Sequence, residues 1–151
     1  DNPEPVYTLH HMSDLLRRFI GEMRLERVHL VGHSLGASAG LEVARLEPEA
    51  VARLVLVAPM GFGKVSLIGR ALAALAWAWD KGRLRPLPYP PLDIEEDGPS
   101  LDSLRAVTAP TCLVWGGRDR HFPVSYVKRA VELLPNARLK VFKGHDQAPH
   151  R

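Results

Sequence analysis

The sequence predicts an α/β fold, a mostly parallel sheet of about four strands flanked by helices. Three observations carry this. Three short apolar runs, at 28–31, 54–58 and 111–115, and a fourth strand segment at 137–142 alternate with segments of helical periodicity, as βαβ units require. The runs at 28–31 and 54–58 are apolar almost throughout rather than alternating, which suits strands covered on both faces. Each run is bounded by charge, glycine or proline and is too short for a helix.

The first helix is expected from Thr8 to about Met23. Leu9, Met12, Leu15, Leu16, Phe19, Ile20 and Met23 recur at helical spacing, and Thr8 is placed to cap the N-terminus. The run Val28–Val31 follows and ends at Gly32. A second helix is expected over Leu35–Glu47, with Leu41, Ala44 and Leu46 toward the sheet and Pro48 beyond its end. After the run 54–58, residues 65–79 read as a helix apolar on nearly all sides, and 82–100 as a proline-rich loop carrying Glu95, Glu96 and Asp97. A short helix over 101–107, a strand over 111–115, a helix over 124–134 and a strand over 137–142 complete the order.

Composition excludes some functions. The 151 residues carry 20 basic and 17 acidic side chains, a net charge of +3, well mixed along the chain. No basic patch is interleaved with aromatics, so nucleic acid is not an expected partner. The longest strongly apolar stretch, 71–79, is far short of the roughly 20 residues that span a bilayer, and no membrane span is expected. The single cysteine, Cys112, lies in an apolar run and reads as a buried structural thiol; it fits a reducing, cytoplasmic compartment.

The chemistry centres on Gly32-His33-Ser34-Leu35-Gly36. This is a Gly-x-Ser-x-Gly pattern lying between an expected strand and an expected helix, the setting in which it has mechanical meaning. A sharp bend there projects a serine hydroxyl beyond the end of the strand. The helix start presents unpaired N–H groups, and the N–H of Leu35 is placed to stabilise an oxyanion. His33, inside the bend, is read as shaping the pocket. The competing reading is a structural serine in a glycine-rich turn.

Residues 28–44, VHLVGHSLGASAGLEVA, resemble the nucleophile elbow of the α/β-hydrolase family, in its serine-nucleophile esterase and lipase-like branch. Members often carry a further glycine where Ala37 stands. The resemblance implies an acid after a later strand, in a segment like Trp-Gly-x-x-Asp, and Trp115-Gly116-Gly117-Arg118-Asp119 supplies it. Asp119 would orient a histidine and stabilise its imidazolium, or else be a turn aspartate capping the next helix. The implied base comes after the last strand, in a segment like Gly-x-Gly-His-x-Pro-His. Two alignments compete over Gly144-His145-Asp146-Gln147-Ala148-Pro149-His150. Matching Gly-His makes His145 the base; matching Ala-Pro-His puts Gln147 there, and glutamine takes no proton from serine near neutral pH. General-base chemistry requires an imidazole, which favours His145, with His150 next.

Family topology implies a cap inserted over the site at residues 60–108, where Leu72 and Trp77 would wall an apolar pocket unless the segment simply packs on the sheet. It also implies that the chain, 1–151, is the C-terminal part of the fold, with the first strands and the second oxyanion-hole donor lying before Asp1. On that expectation the 28–31 strand is an exposed edge prone to self-association, and the chain alone is poorly active. The implied reaction is hydrolysis of an ester or related acyl bond in a small or medium-sized molecule through Ser34, His145 and Asp119. A non-catalytic member of the fold and an acyltransferase are the alternatives. The sequence shows no metal or cofactor signature, and this chemistry needs neither.

Overall fold

The computed structural model describes residues 8–62, 101–119, 122–146 and 149. The expected helix 65–79 and the loop 82–100 lie outside them, as does most of the expected cap.

Helix α1 spans Leu9–Glu22, and Thr8 caps it by accepting the His11 N–H at 3.2 Å. Its buried side is Leu9, Ser13 and Ile20, with Leu16 packed against the core. Leu15, Phe19 and Met23, four residues apart, form a second apolar stripe that is exposed. Arg17 ties the helix to Glu47, its Nε–H donating at 2.7 Å. Strand β1 runs Val28–His33, so it continues through the glycine at which the sequence places its end.

Helix α2 (Leu35–Leu46) buries Ala37, Ser38, Leu41, Val43 and Ala44. Leu46 is exposed, contrary to expectation. A 3-10 turn at Pro48–Ala50 leads into β2 (Val51–Val57), which starts three residues before the apolar run suggests. The expected short helix at 101–107 is a 3-10 helix, Leu101–Ala106. Strand β3 (Thr111–Gly116), helix α3 (Val124–Leu133) and strand β4 (Ala137–Phe142) follow within a residue of expectation.

The four strands form one sheet in the order β1-β2-β3-β4, and every pairing is parallel. The core lies between one sheet face and the helices. Leu54, Leu56, Leu113 and Trp115 pack there with Leu41, Val43, Val127 and Ala130, and Leu30, Leu139 and Val141 lie against them.

The other face is less covered among the described residues. Cross-strand partners share a face, so Val55, Cys112 and Arg138 form one row and Val57 and Val114 another. No helix among the described residues covers that face. Strands β1 and β4 alternate there, with His29, Val31, His33, Arg138, Lys140 and Phe142 exposed. In β2 and β3 only Arg53 is exposed, and the other residues are buried or half-buried. Cys112 is accordingly half-buried rather than enclosed. The alternation was legible as His29 and His33 in β1 and as Arg138 and Lys140 in β4.

Candidate active site

Parallel strands put all their C-terminal ends on one side, and the hydrogen bonds carry that alignment one residue further. The Ser34 N–H donates to Val57 O, the Ala58 N–H to Val114 O and the Gly117 N–H to Phe142 O, each at 2.9 Å. The bends after the four strands therefore stand in one row at one end of the sheet. Three of them contain a positive φ: Ser34 at 53°, Ala58 at 43° and Gly144 at 89°.

Ser34 has φ 53° and ψ −122°, a conformation that a residue with a β-carbon adopts only under constraint. The constraint is visible at Gly32. A β-carbon there would lie 2.5 Å from Gly36 O and 2.6 Å from the Ala37 N, so helix backbone rides directly on the strand. Gly36 is different. Among the described residues nothing lies within 4 Å of where its β-carbon would be. The two glycines of the motif are thus unequal, and only the first is needed by the bend itself. The Ala37 and Ser38 N–H groups already donate to Ser34 O, at 3.1 and 3.2 Å. The Leu35 N–H precedes them, in the helix turn whose donors have no intrahelical acceptor.

Ser38 is a residue that sequence reasoning missed. It is 1% exposed, and its hydroxyl both donates to Met60 O at 2.8 Å and accepts the Met60 N–H at 2.9 Å. Helix α2 is thereby clasped to the loop that follows β2. That loop continues to Phe62, whose ring stacks on Trp115 with centroids 6.5 Å apart. The Trp115 Nε1–H donates to Phe122 O at 3.1 Å, and the Phe122 N–H donates to Asp119 Oδ1 at 3.0 Å. Asp119 is itself buried, and the helix after it is capped by Pro123 without a side-chain hydrogen bond.

His145 follows β4. Its carbonyl accepts the Arg118 N–H at 2.8 Å, and the Asp146 carbonyl occupies the space a side chain at Gly116 would need. The loop after β4 is thus folded across the end of β3, toward β2 and β1. The backbones bearing Asp119 and His145 are brought together in this way. The His145 ring itself is exposed, its Nδ1 3.4 Å from Lys143 O, and it meets the Phe142 ring edge-on with centroids 5.9 Å apart. His33 is exposed on the sheet face that no helix among the described residues covers. Leu72 and Trp77 lie outside the described residues, as do His121, Gln147 and His150. Among the described residues no group of histidine, cysteine and carboxylate side chains is arranged to hold a metal ion. A groove of about 660 Å³, lined by Arg53, Val55, Cys112 and Arg138 among others, opens toward the N-terminal ends of β2–β4, away from Ser34.

The bend, the parallel sheet and the order of its strands have counterparts in known proteins. The sequence model of the Alpha/beta hydrolase family matches residues 1–151, and the chain belongs to that family. The match runs the length of the chain, so these findings do not support confining the resemblance to a C-terminal part. Among individual relatives, a dihydrolipoyllysine-residue acetyltransferase component of an acetoin cleaving system from Pseudomonas putida is 26% identical over 85% of this chain and 45% of that protein. A 2-hydroxy-6-oxononadienedioate/2-hydroxy-6-oxononatrienedioate hydrolase from Cupriavidus pinatubonensis is 24% identical over 94% of this chain and 65% of that protein. The chain thus spans less than two thirds of either relative. Of solved structures, a meta-cleavage product hydrolase from Pseudomonas fluorescens superposes with a TM-score of 0.76 at 20% identity, covering 97% of this chain and 68% of that one. A carboxylesterase from Bacillus subtilis does so with a TM-score of 0.74 at 18% identity, covering 97% and 64%. At these identities the superpositions speak for the fold. No helix among the described residues is long and apolar enough to cross a membrane.

Proposed function

We propose that the chain carries the catalytic motifs of a serine hydrolase acting on an ester or related acyl bond of a small or medium-sized molecule. The observation that carries this reading is the backbone of Ser34: a strained serine held at a strand-to-helix bend, at the end of the sheet where the loops bearing Asp119 and His145 also lie.

In this reading Ser34 Oγ attacks the carbonyl carbon while His145 takes its proton. The oxyanion is met by the Leu35 N–H at the start of α2. His145 then returns the proton to the departing oxygen, the acyl group stays on Ser34, and a water deprotonated by the same imidazole releases it. Asp119 orients the imidazole. His145 must swing away from Lys143 O and Phe142 to do so, and catalytic hydrogen bonds often close only when substrate is bound. His33, Leu72 and Trp77 are assigned to the pocket, and residues 60–108 to a short cap.

The outward His145 ring favours one second reading, a non-catalytic binding member of the family. A fluorophosphonate probe separates the two. Labelling of Ser34 that is lost in Ser34→Ala and cut at least tenfold in His145→Ala supports the hydrolase. No labelling, in this chain or in a longer protein containing it, supports the binding reading. Loss of labelling in a Gln147 variant but not in His145→Ala would decide against the Gly-His alignment and against His145 as the base. Substrates to screen after labelling are short-chain esters and the dienedioate named for the Cupriavidus relative.

A further inference from the structure

Ser34 stands after β1 and Asp119 after β3, so a whole strand separates them, about 10 Å at the usual strand spacing. Among the described residues no backbone hydrogen bond joins those two bends directly. What fills the interval is the segment after β2, residues 58–62. It is held at both ends. Toward Ser34 it is held by the Ser38 hydroxyl, which takes both backbone groups of Met60 and lies 3.3 Å from Ser34 O. Toward Asp119 it is held by Phe62 stacked on Trp115, which in turn bonds Phe122 O. Between the ends, Ala58 is fully buried in a left-handed conformation and Pro59 is fully buried with φ limited by its ring, so the segment is stiff.

We infer that Ser38 is a positioning residue, and that through Met60 it sets the distance between Ser34 and the Asp119 turn. This rests on the serine-hydrolase reading above. A hydroxyl suits the task because one small group can donate to a carbonyl and accept from an N–H at once. Alanine would leave both part-buried Met60 groups without the Ser38 hydroxyl, and the segment would move to find other partners. A shift of about 1 Å in a catalytic group is enough for a rate loss of up to a hundredfold.

The test uses the 151-residue chain with Ser38→Ala, Ser38→Thr and, as a control for stability, Ile20→Val on the buried side of α1. Amide hydrogen exchange reads the clasp without reference to activity. Ser38→Ala should accelerate exchange at least tenfold at residues 35–39 and 60–62 and leave α3 unchanged, with Ser38→Thr closer to wild type. Fluorophosphonate labelling, measured well below the melting temperature of each variant, reads the consequence. It should fall at least tenfold in Ser38→Ala, be partly restored in Ser38→Thr and be unchanged in Ile20→Val. Unaltered exchange in Ser38→Ala overturns the clasp. Altered exchange with undiminished labelling overturns the positioning role. A chain that exchanges as expected but takes no label, either by itself or within a longer protein containing it, refutes the hydrolase reading and leaves the clasp as architecture alone.

Discussion

The carbonyl of Asp146 lies where a β-carbon on Gly116 would have to stand, so the loop after β4 closes over the end of β3 through a position that admits no side chain. The Arg118 N–H bonded to His145 O and the Gly117 N–H bonded to Phe142 O lock the two loops edge to edge. Gly116 thus decides how close the chain's last loop comes to Asp119.

Gly116→Ala should therefore displace residues 143–146 rather than be absorbed locally. The obstacle is backbone, which cannot rotate away as a side chain can. We expect a loss of about 1–3 kcal/mol, the usual range for overpacking, read as a lowered urea midpoint. Labelling of Ser34 should fall together with it. A variant with wild-type stability and labelling would show that the loop has room to spare.

The two glycines of the elbow should respond oppositely. Gly32→Ala drives a β-carbon into the Gly36 carbonyl and the Ala37 backbone, and is expected to cost about 3 kcal/mol or prevent folding. Gly36→Ala lies in the first turn of α2 with open space around it, and should be neutral or stabilising by up to about 1 kcal/mol. Thermal melts of the pair decide. If Gly36→Ala keeps its stability but loses labelling, the space at Gly36 belongs to the substrate.

Strain at Ser34 makes a third prediction. Alanine retains the β-carbon and the strain, whereas glycine is at ease at φ 53°. Ser34→Gly should be more stable than Ser34→Ala by about 1 kcal/mol, the relief being partly offset by the entropy of glycine in the unfolded chain. Both should be blind to the fluorophosphonate. Equal urea midpoints would mean that the bend stores no strain.

The uncovered face makes a fourth. Val31 is 74% exposed on β1, the outermost described strand next to β2. Self-association through this edge is expected in the isolated chain, and Val31→Lys should suppress it by placing a charge where an apolar contact forms. Sedimentation velocity over a tenfold concentration range checks this. A wild-type chain that stays monomeric across that range would remove the edge as an association site.

Much of the architecture was readable from local chemistry. Thr8 before an apolar helical pattern marks the start of α1 because a hydroxyl there relieves an unpaired N–H. Gly32 and Ser34 between a strand pattern and a helix pattern mark the elbow because the bend needs a residue without a β-carbon beneath the helix. The runs at 111–115 and 137–142 mark strands because proline and polar residues bound them on both sides. These are properties of a few neighbouring residues, and neighbours in sequence report them faithfully.

Other features needed residues far apart in the chain to meet. Ser38 looks like any small helix residue until its hydroxyl is seen on Met60, 22 positions later. Leu15, Phe19 and Met23 look like core but are exposed, because periodicity marks an apolar stripe without saying whether a partner covers it. Continuous apolar strands suggested two covered faces, yet burial on the second face depends on what packs there and not on the strand. The orientation of His145 depends on Phe142 and the Lys143 carbonyl, which hold the ring outward, and on a loop that only the Gly116 gap allows to close. Fold class, strand order of appearance and the identity of the strained serine were local matters, written in adjacent side chains. The distances among Ser34, Asp119 and His145 were settled by packing, because they are sums over a sheet, a buried hydroxyl clasp and two interlocked loops.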